Sequence, residues 1–200
     1  MVDKLKIYEL GIDEFSDALV NAVALTGNPA HESLFLAFNS DKSTSISFSV
    51  DDDKKELIGA AMIPNIPIFR KANEVIKEDH YVKFSIEDIR KASMLFFKNG
   101  YQNNLNIEHT STDAKAYIFQ SYIIDTDKNM MSPIGLDLPN GTWVIGVKCD
   151  DEDVFKAVKE LKAGFSVEGL FQYKFQNEED GDNDVVSLIE EINTILKKIK

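Results

Sequence analysis

The hydrophobic period changes at Gly164, and that change limits what the chain can build. Upstream, Asp150 to Lys162 carries Val154, Phe155, Val158 and Leu161 on one helical face, with acids at its start and lysines toward its end. From Phe165 to Phe175 the repeat becomes two. Phe165, Val167, Gly169, Phe171, Tyr173 and Phe175 point one way, and Ser166, Glu168, Leu170, Gln172 and Lys174 the other. A helix therefore feeds directly into a strand, and Ser166 lies on the more polar face of a strand whose other face is aromatic. Gly164 and Gly169 flank this serine, yet the order helix-then-strand excludes the nucleophile elbow of α/β-hydrolases, which needs strand, turn and then helix.

The rest of the chain is rich in short apolar runs bounded by turn residues. Leu5 to Leu10, Ala18 to Leu25, Leu34 to Phe38, Leu57 to Ile63, Tyr81 to Phe84, Ala116 to Ile124 and Thr142 to Cys149 read as strands. Pro64 and Pro67 impose an extended, edge-like path that runs to Arg70. Ser85 is placed to cap a helix with Glu87 and Asp88 in its first turn, a face of Ile89, Ala92, Ser93, Phe96 and Phe97, and Asn99-Gly100 at its end. Asp125 to Met131 reads as a turn or loop. Many strands with few helices predict an α+β chain built on a β-barrel or sandwich decorated by helices.

The predicted organisation is a domain over residues 1–176 with a polar insertion at about 39–55, an acidic linker at 177–184 and a C-terminal amphipathic helix at 185–200. The stripe of that last helix is Val185, Leu188, Ile189, Ile192, Ile195, Leu196 and Ile199.

The net charge of −12 argues against nucleic acid as the main partner, because phosphate contacts need clustered Lys and Arg. No run approaches membrane-spanning length, so no membrane association is expected. The single Cys149 provides no disulfide framework and suits a reducing cytosol. With three scattered histidines, His31, His80 and His109, it forms no metal-ligand set, and nothing in the sequence calls for a cofactor.

The candidate chemistry is a hydroxyl and a base. Ser166 between glycines and His109 in Asn106-Ile107-Glu108-His109 are each commonplace alone, because a strand serine is most often structural and a lone histidine is most often an ordinary surface or core residue. His31 and His80 sit among turn and charged residues and have no claim. Glu168 shares the Ser166 face, so it either orients a base or is a solvated strand residue. Asp125 ends a strand and can approach His109 across a hairpin or serve the turn. These residues alone reach a soluble α+β domain with a Ser/His pair to be tested.

Several segments, in this order, resemble the XkdF-like prohead (capsid maturation) serine proteases of tailed phages. They are the stretch Ala24 to Ala30, Gly59 to Arg70, Tyr81 to Ser85, Asn106 to His109, Ala116 to Ile124, Gly141 to Lys148 and Gly164 to Gly169. The resemblance covers about residues 20–175 and leaves out the polar insertion. It implies a fold similar to herpesvirus assemblin, a closed antiparallel barrel flanked by helices. It also implies Ser166 as nucleophile and His109 as general base, with oxyanion stabilisation from backbone N–H groups nearby. Phage scaffold and major capsid protein would be the substrates, within the assembling procapsid in the host cytoplasm. Assemblin-like enzymes are regulated by dimerisation, which leaves a homodimer open for this chain.

One position departs from the family. Relatives commonly carry an acid in the strand after the histidine, where Gln120 stands here. A glutamine can hydrogen-bond an imidazole but cannot offset the charge of an imidazolium, and loss of an orienting acid costs several orders of magnitude in triad enzymes. The third member is therefore Gln120 in a weakened site, or else Asp125, Glu108 or Glu168. Two functions follow: a maturation protease that cleaves scaffold and capsid-protein extensions and itself, or a catalytically silent relative retained as an internal capsid or scaffold-associated protein.

Overall fold

A computed structural model of the chain describes residues 5–15, 18–27, 49–160 and 164–175. The strand expected at Leu34 to Phe38, His31, most of the polar insertion, the linker at 177–184 and the helix at 185–200 lie outside the described residues.

Helix α1 (Ile86–Lys98) forms where its caps require it. The Ser85 side chain accepts from the Asp88 N–H at 3.1 Å, and Gly100 follows the Asn99 cap in the left-handed region at φ 78°. Its Ile89, Ala92 and Phe96 are fully buried, and Phe96 meets Trp143 edge-to-face at 5.5 Å. Helix α2 (Glu152–Glu160) buries Phe155 and Val158 and starts two residues later than the periodicity suggests, while residues 161–162 lie outside the described residues.

The strands are β1 (Ile7–Gly11), β2 (Val20–Thr26), β3 (Ser49–Asp51), β4 (Glu56–Met62), β5 (Ile68–Arg70), β6 (His80–Phe84), β7 (Leu105–Ile107), β8 (Ala116–Ile123), β9 (Trp143–Cys149), β10 (Gly164–Gly169) and β11 (Gln172–Lys174). They form three ladders, ordered β11-β1-β6-β5, β10-β2-β7 and β3-β4-β9-β8. The chain is α+β, as expected, and no closed antiparallel barrel is detected among the described residues. None of the three ladders closes on itself, and both β1–β6 and β2–β7 pair in parallel. The ladders instead share one core, in which Leu25, Leu57, Met62, Ile145, Trp143 and Phe165 are all buried. Each such side chain contributes roughly 2–3 kcal/mol by leaving water.

The long strand expected from Phe165 to Phe175 is two strands. The period of two continues through Leu170 and Phe171, but the backbone changes partner there. β10 pairs with β2 and β11 with β1, after a register shift between Glu168 and Gly169. A Cβ on Gly169 would stand 2.1 Å from the Leu19 carbonyl oxygen, so the crossing needs a residue without a side chain. Gly169 is thus a packing requirement at the end of the serine strand.

A buried carboxylate ties three elements together. Asp88 is 1% exposed, accepts from the Ile12 N–H at 3.2 Å and pairs with Lys174 Nζ at 2.6 Å, while Lys174 also reaches Glu9 at 3.2 Å. Burial alone would raise the Asp88 pKa, but the hydrogen bonds from Lys174, Ser85 and Ile12 outweigh it and hold it below the ordinary 3.8. A carboxyl whose folded value lies below its unfolded value adds stability that is complete above the unfolded value and lost as pH falls through the folded one. Lys174→Met is expected to destabilise the fold by about 2–3 kcal/mol at neutral pH by leaving that carboxylate unpaired, and to shrink the loss of stability below about pH 4. Urea melts of both proteins at pH 7 and pH 3.5 measure it; equal midpoint differences at the two values would remove this role.

His80 is fully buried between the Glu78 carbonyl oxygen and the Tyr173 hydroxyl, both at 2.8 Å, and belongs to the core. Cys149 is also fully buried, and desolvation pushes its thiol up to about 11.

Candidate active site

The β10-β2-β7 sheet brings the serine and the histidine to one face. Phe165, Val23 and Leu105 point into the core, so the alternate residues Ser166, Glu168, Ala22, Ala24 and Asn106 share the opposite side. Register sets Ser166 opposite Ala24 and Ala24 opposite Asn106, and Glu168 opposite Ala22. The small alanines leave the space over the middle strand open to longer side chains from its neighbours.

His109 enters this space from the turn after β7. Both Glu108 and His109 are left-handed, at φ 52° and 56°. Two consecutive non-glycine residues there cost about 1–2 kcal/mol each, and such strain persists where surrounding bonds over-determine it. They do so here. The Glu108 carboxylate accepts from the Gly27 N–H and the Thr26 hydroxyl, both at 2.7 Å, and the Glu108 N–H donates to the Leu25 carbonyl at 3.0 Å. The Gly27 N–H first, and then the Thr26 hydroxyl, hold that carboxyl below the usual range. Glu108 is thereby spent on clamping the turn to β2, and the clamp aims the next residue.

The His109 Nδ1 lies 3.0 Å from Glu168 Oε1, and the same oxygen accepts from Asn106 Nδ2 at 2.6 Å. With Nδ1 committed to the carboxylate, Nε2 is the ring nitrogen left to face a hydroxyl. Ser166 stands two residues from Glu168 on the same strand face, about 7 Å along β10. Its side chain is 5% exposed, and among the described residues no hydrogen bond joins it to His109. Unliganded sites of this type are commonly loose at this contact.

The other candidates for a third member are elsewhere. Gln120 lies on β8, in a different ladder, opposite Gly146 and exposed to solvent. Among the described residues no hydrogen bond joins it to His109. Asp125, past the far end of β8, is bonded to Lys128 and bridges to Met130. Of these candidates, Glu168 is the one whose side chain makes a hydrogen bond with His109 among the described residues.

Asn106 was not singled out from sequence. Its Nδ2 fixes the carboxylate oxygen that His109 uses, while its Oδ1 is buried without a partner. Asparagine is depleted in strands, so an asparagine within an otherwise apolar strand next to a candidate base is a signal that was available.

The family model described as "Putative phage serine protease XkdF" matches residues 45–173, a span that holds His109, Gln120, Ser166 and Glu168 but not the Ala24 to Ala30 segment. No curated protein and no solved structure matches the chain. The matched span covers more than half of the chain, and the chain belongs to the XkdF family of phage serine proteases.

Proposed function

We propose that the protein is a serine endopeptidase of capsid maturation, with Ser166 as nucleophile, His109 as general base and Glu168 as the carboxylate that orients the imidazole. The observation that carries this reading is the 3.0 Å contact between Glu168 and His109 Nδ1, on the face that also bears Ser166.

In the first step Ser166 Oγ attacks the peptide carbonyl carbon while its proton passes to His109 Nε2. Backbone N–H groups beside Ser166 stabilise the oxyanion. The C–N bond then breaks, the amine leaves with the proton from His109, and an acyl ester remains on Oγ. Water attacks that ester with His109 again accepting a proton, and the acid product departs as Oγ is reprotonated. Throughout, Glu168 holds the ring and offsets the charge of the imidazolium, and Asn106 holds Glu168.

The substrates in this reading are the scaffold and the extension of the major capsid protein, cut inside the assembling procapsid in the host cytoplasm, together with the protease itself. Membership of a phage serine protease family supports the phage setting. Co-expression with the cognate scaffold and capsid protein tests it: the wild-type chain is expected to yield shortened products, and Ser166→Ala full-length ones. Identical band patterns from the two would favour a catalytically silent internal capsid protein instead.

A further inference from the structure

The outer edge of β8 is open where it runs beside helix α1. Past the register shift between Ile118 and Gln120, Tyr122 pairs with Val144, and the Ile124 N–H donates to the Thr142 carbonyl at 2.9 Å. Backbone groups alternate along an antiparallel ladder, so Ser121 and Ile123 turn their N–H and C=O groups away from β9. β8 ends its ladder, and among the described residues no other strand pairs with it. Natural edges are blunted by irregularities, lysine or proline. The register shift guards the first half of β8, but the stretch from Gln120 to Ile123 is regular and holds no charge and no proline.

Alongside this edge lies a groove of about 400 Å³. Its α1 wall is Arg90, Ser93, Met94 and Phe97, spaced as one stripe of the helix, and its β8 wall is Ser121, Tyr122 and Ile123. Met94 is 62% exposed and Phe97 37%, so one end of the stripe is apolar. The wall hydroxyls are engaged with the protein. Ser93 donates to the Arg90 carbonyl at 2.9 Å, Tyr122 donates to the Met131 carbonyl at 3.0 Å, and Ser121 Oγ accepts from Trp143 Nε1 at 2.9 Å. Arg90, at the other end, is exposed, and the lining holds no carboxylate. Among the described residues its guanidinium forms no ion pair, in a chain with 34 acids against 22 bases.

The groove therefore presents unpaired strand backbone, an apolar surface and one free cation. An extended peptide answers all three. Laid beside β8, it would exchange hydrogen bonds with Ser121 and Ile123, and its alternate side chains, about 7 Å apart, would enter the groove. The stripe from Arg90 to Phe97 is about 10 Å long, which admits a carboxylate at the arginine and an apolar side chain over Met94 and Phe97. A helical partner would leave the edge groups of β8 unsatisfied.

We infer that the groove between β8 and α1 docks an extended segment of another protein as an added strand, with an acidic and an apolar residue two positions apart. The inference is independent of the protease reading, since neither Ser166 nor His109 lines this groove.

The full-length Ser166→Ala chain, which consumes no peptide, is titrated with short fluorescent peptides and followed by anisotropy. A peptide containing Glu-Thr-Val between threonines is expected to bind saturably, and about five-fold more weakly when its glutamate is lysine. Arg90→Glu is expected to reverse that order, and the residue is exposed, so the exchange spares the core. Methylating the alternate peptide nitrogens that face β8 is expected to abolish binding without any change in the protein. An order unchanged by Arg90→Glu, or binding indifferent to methylation at either set of nitrogens, would overturn the inference. So would a chain that binds none of the peptides. Sedimentation of the chain alone as a dimer that Arg90→Glu dissociates would also overturn it, by giving the edge to a second copy.

Discussion

His109→Ala is expected to lower kcat for peptide cleavage on the order of 10⁶-fold, with KM nearly unchanged. The serine hydroxyl is a weak nucleophile at neutral pH unless a base takes its proton as the bond to carbon forms, and among the described residues His109 is the imidazole held on the β10-β2-β7 face that bears Ser166. His109 is an exposed turn residue, with 43% of its side chain open to solvent, so its removal should leave the fold intact. Single-turnover rates with a cleavable peptide, together with circular dichroism of the variant, make the measurement. Activity within ten-fold of wild type in a folded variant would exclude His109 as the base.

The second large effect separates Glu168 from Gln120. Glu168→Gln is expected to cost about 10⁴-fold in kcat, the loss seen when a triad's orienting carboxylate becomes an amide. The amide keeps the shape of the side chain, but it cannot offset the imidazolium, and its NH₂ would contend with Asn106 Nδ2 for the same place. Gln120→Glu, by contrast, is expected to leave the rate unchanged, because that side chain is exposed beside Gly146 on another ladder. The two variants exchange predictions if the family's usual position is the functional one. A rise with Gln120→Glu and indifference to Glu168→Gln would return the orienting role to β8.

The parts of this arrangement that could be read from sequence are those set by near neighbours. Ser85, Asn99 and Gly100 mark the ends of α1 because capping is a matter of a few consecutive residues. The period of two after Gly164 puts Ser166 and Glu168 on one face for the same reason, and so Glu168 was visible as a partner. The break at Leu170 was not, since both halves keep the alternation and only the identity of the paired strand changes. The place of Gln120 could not be read for a similar cause: its register against His109 depends on which ladder β8 joins, a choice made by the core around Trp143 and Val147. Closure of the barrel is likewise a property of edges that meet far apart in the chain. Asn106 needed the lateral register of β2 and β7 before its contact with Glu168 could be seen.

The order in which the sheet is stitched has a consequence for when the activity can exist. The proposed base arrives on the β7 turn, the turn is clamped to the end of β2, and both the proposed nucleophile and its orienting acid come with β10, at residues 164–169. A ribosome-bound fragment that has not yet released residues 164–169 lacks two of the three groups, whatever else has folded. The earlier strands must then wait for a distant partner, and such long-range pairing is slow. Synthesis itself thus acts as a delay, and the proposed activity cannot appear before β10 has been made and paired.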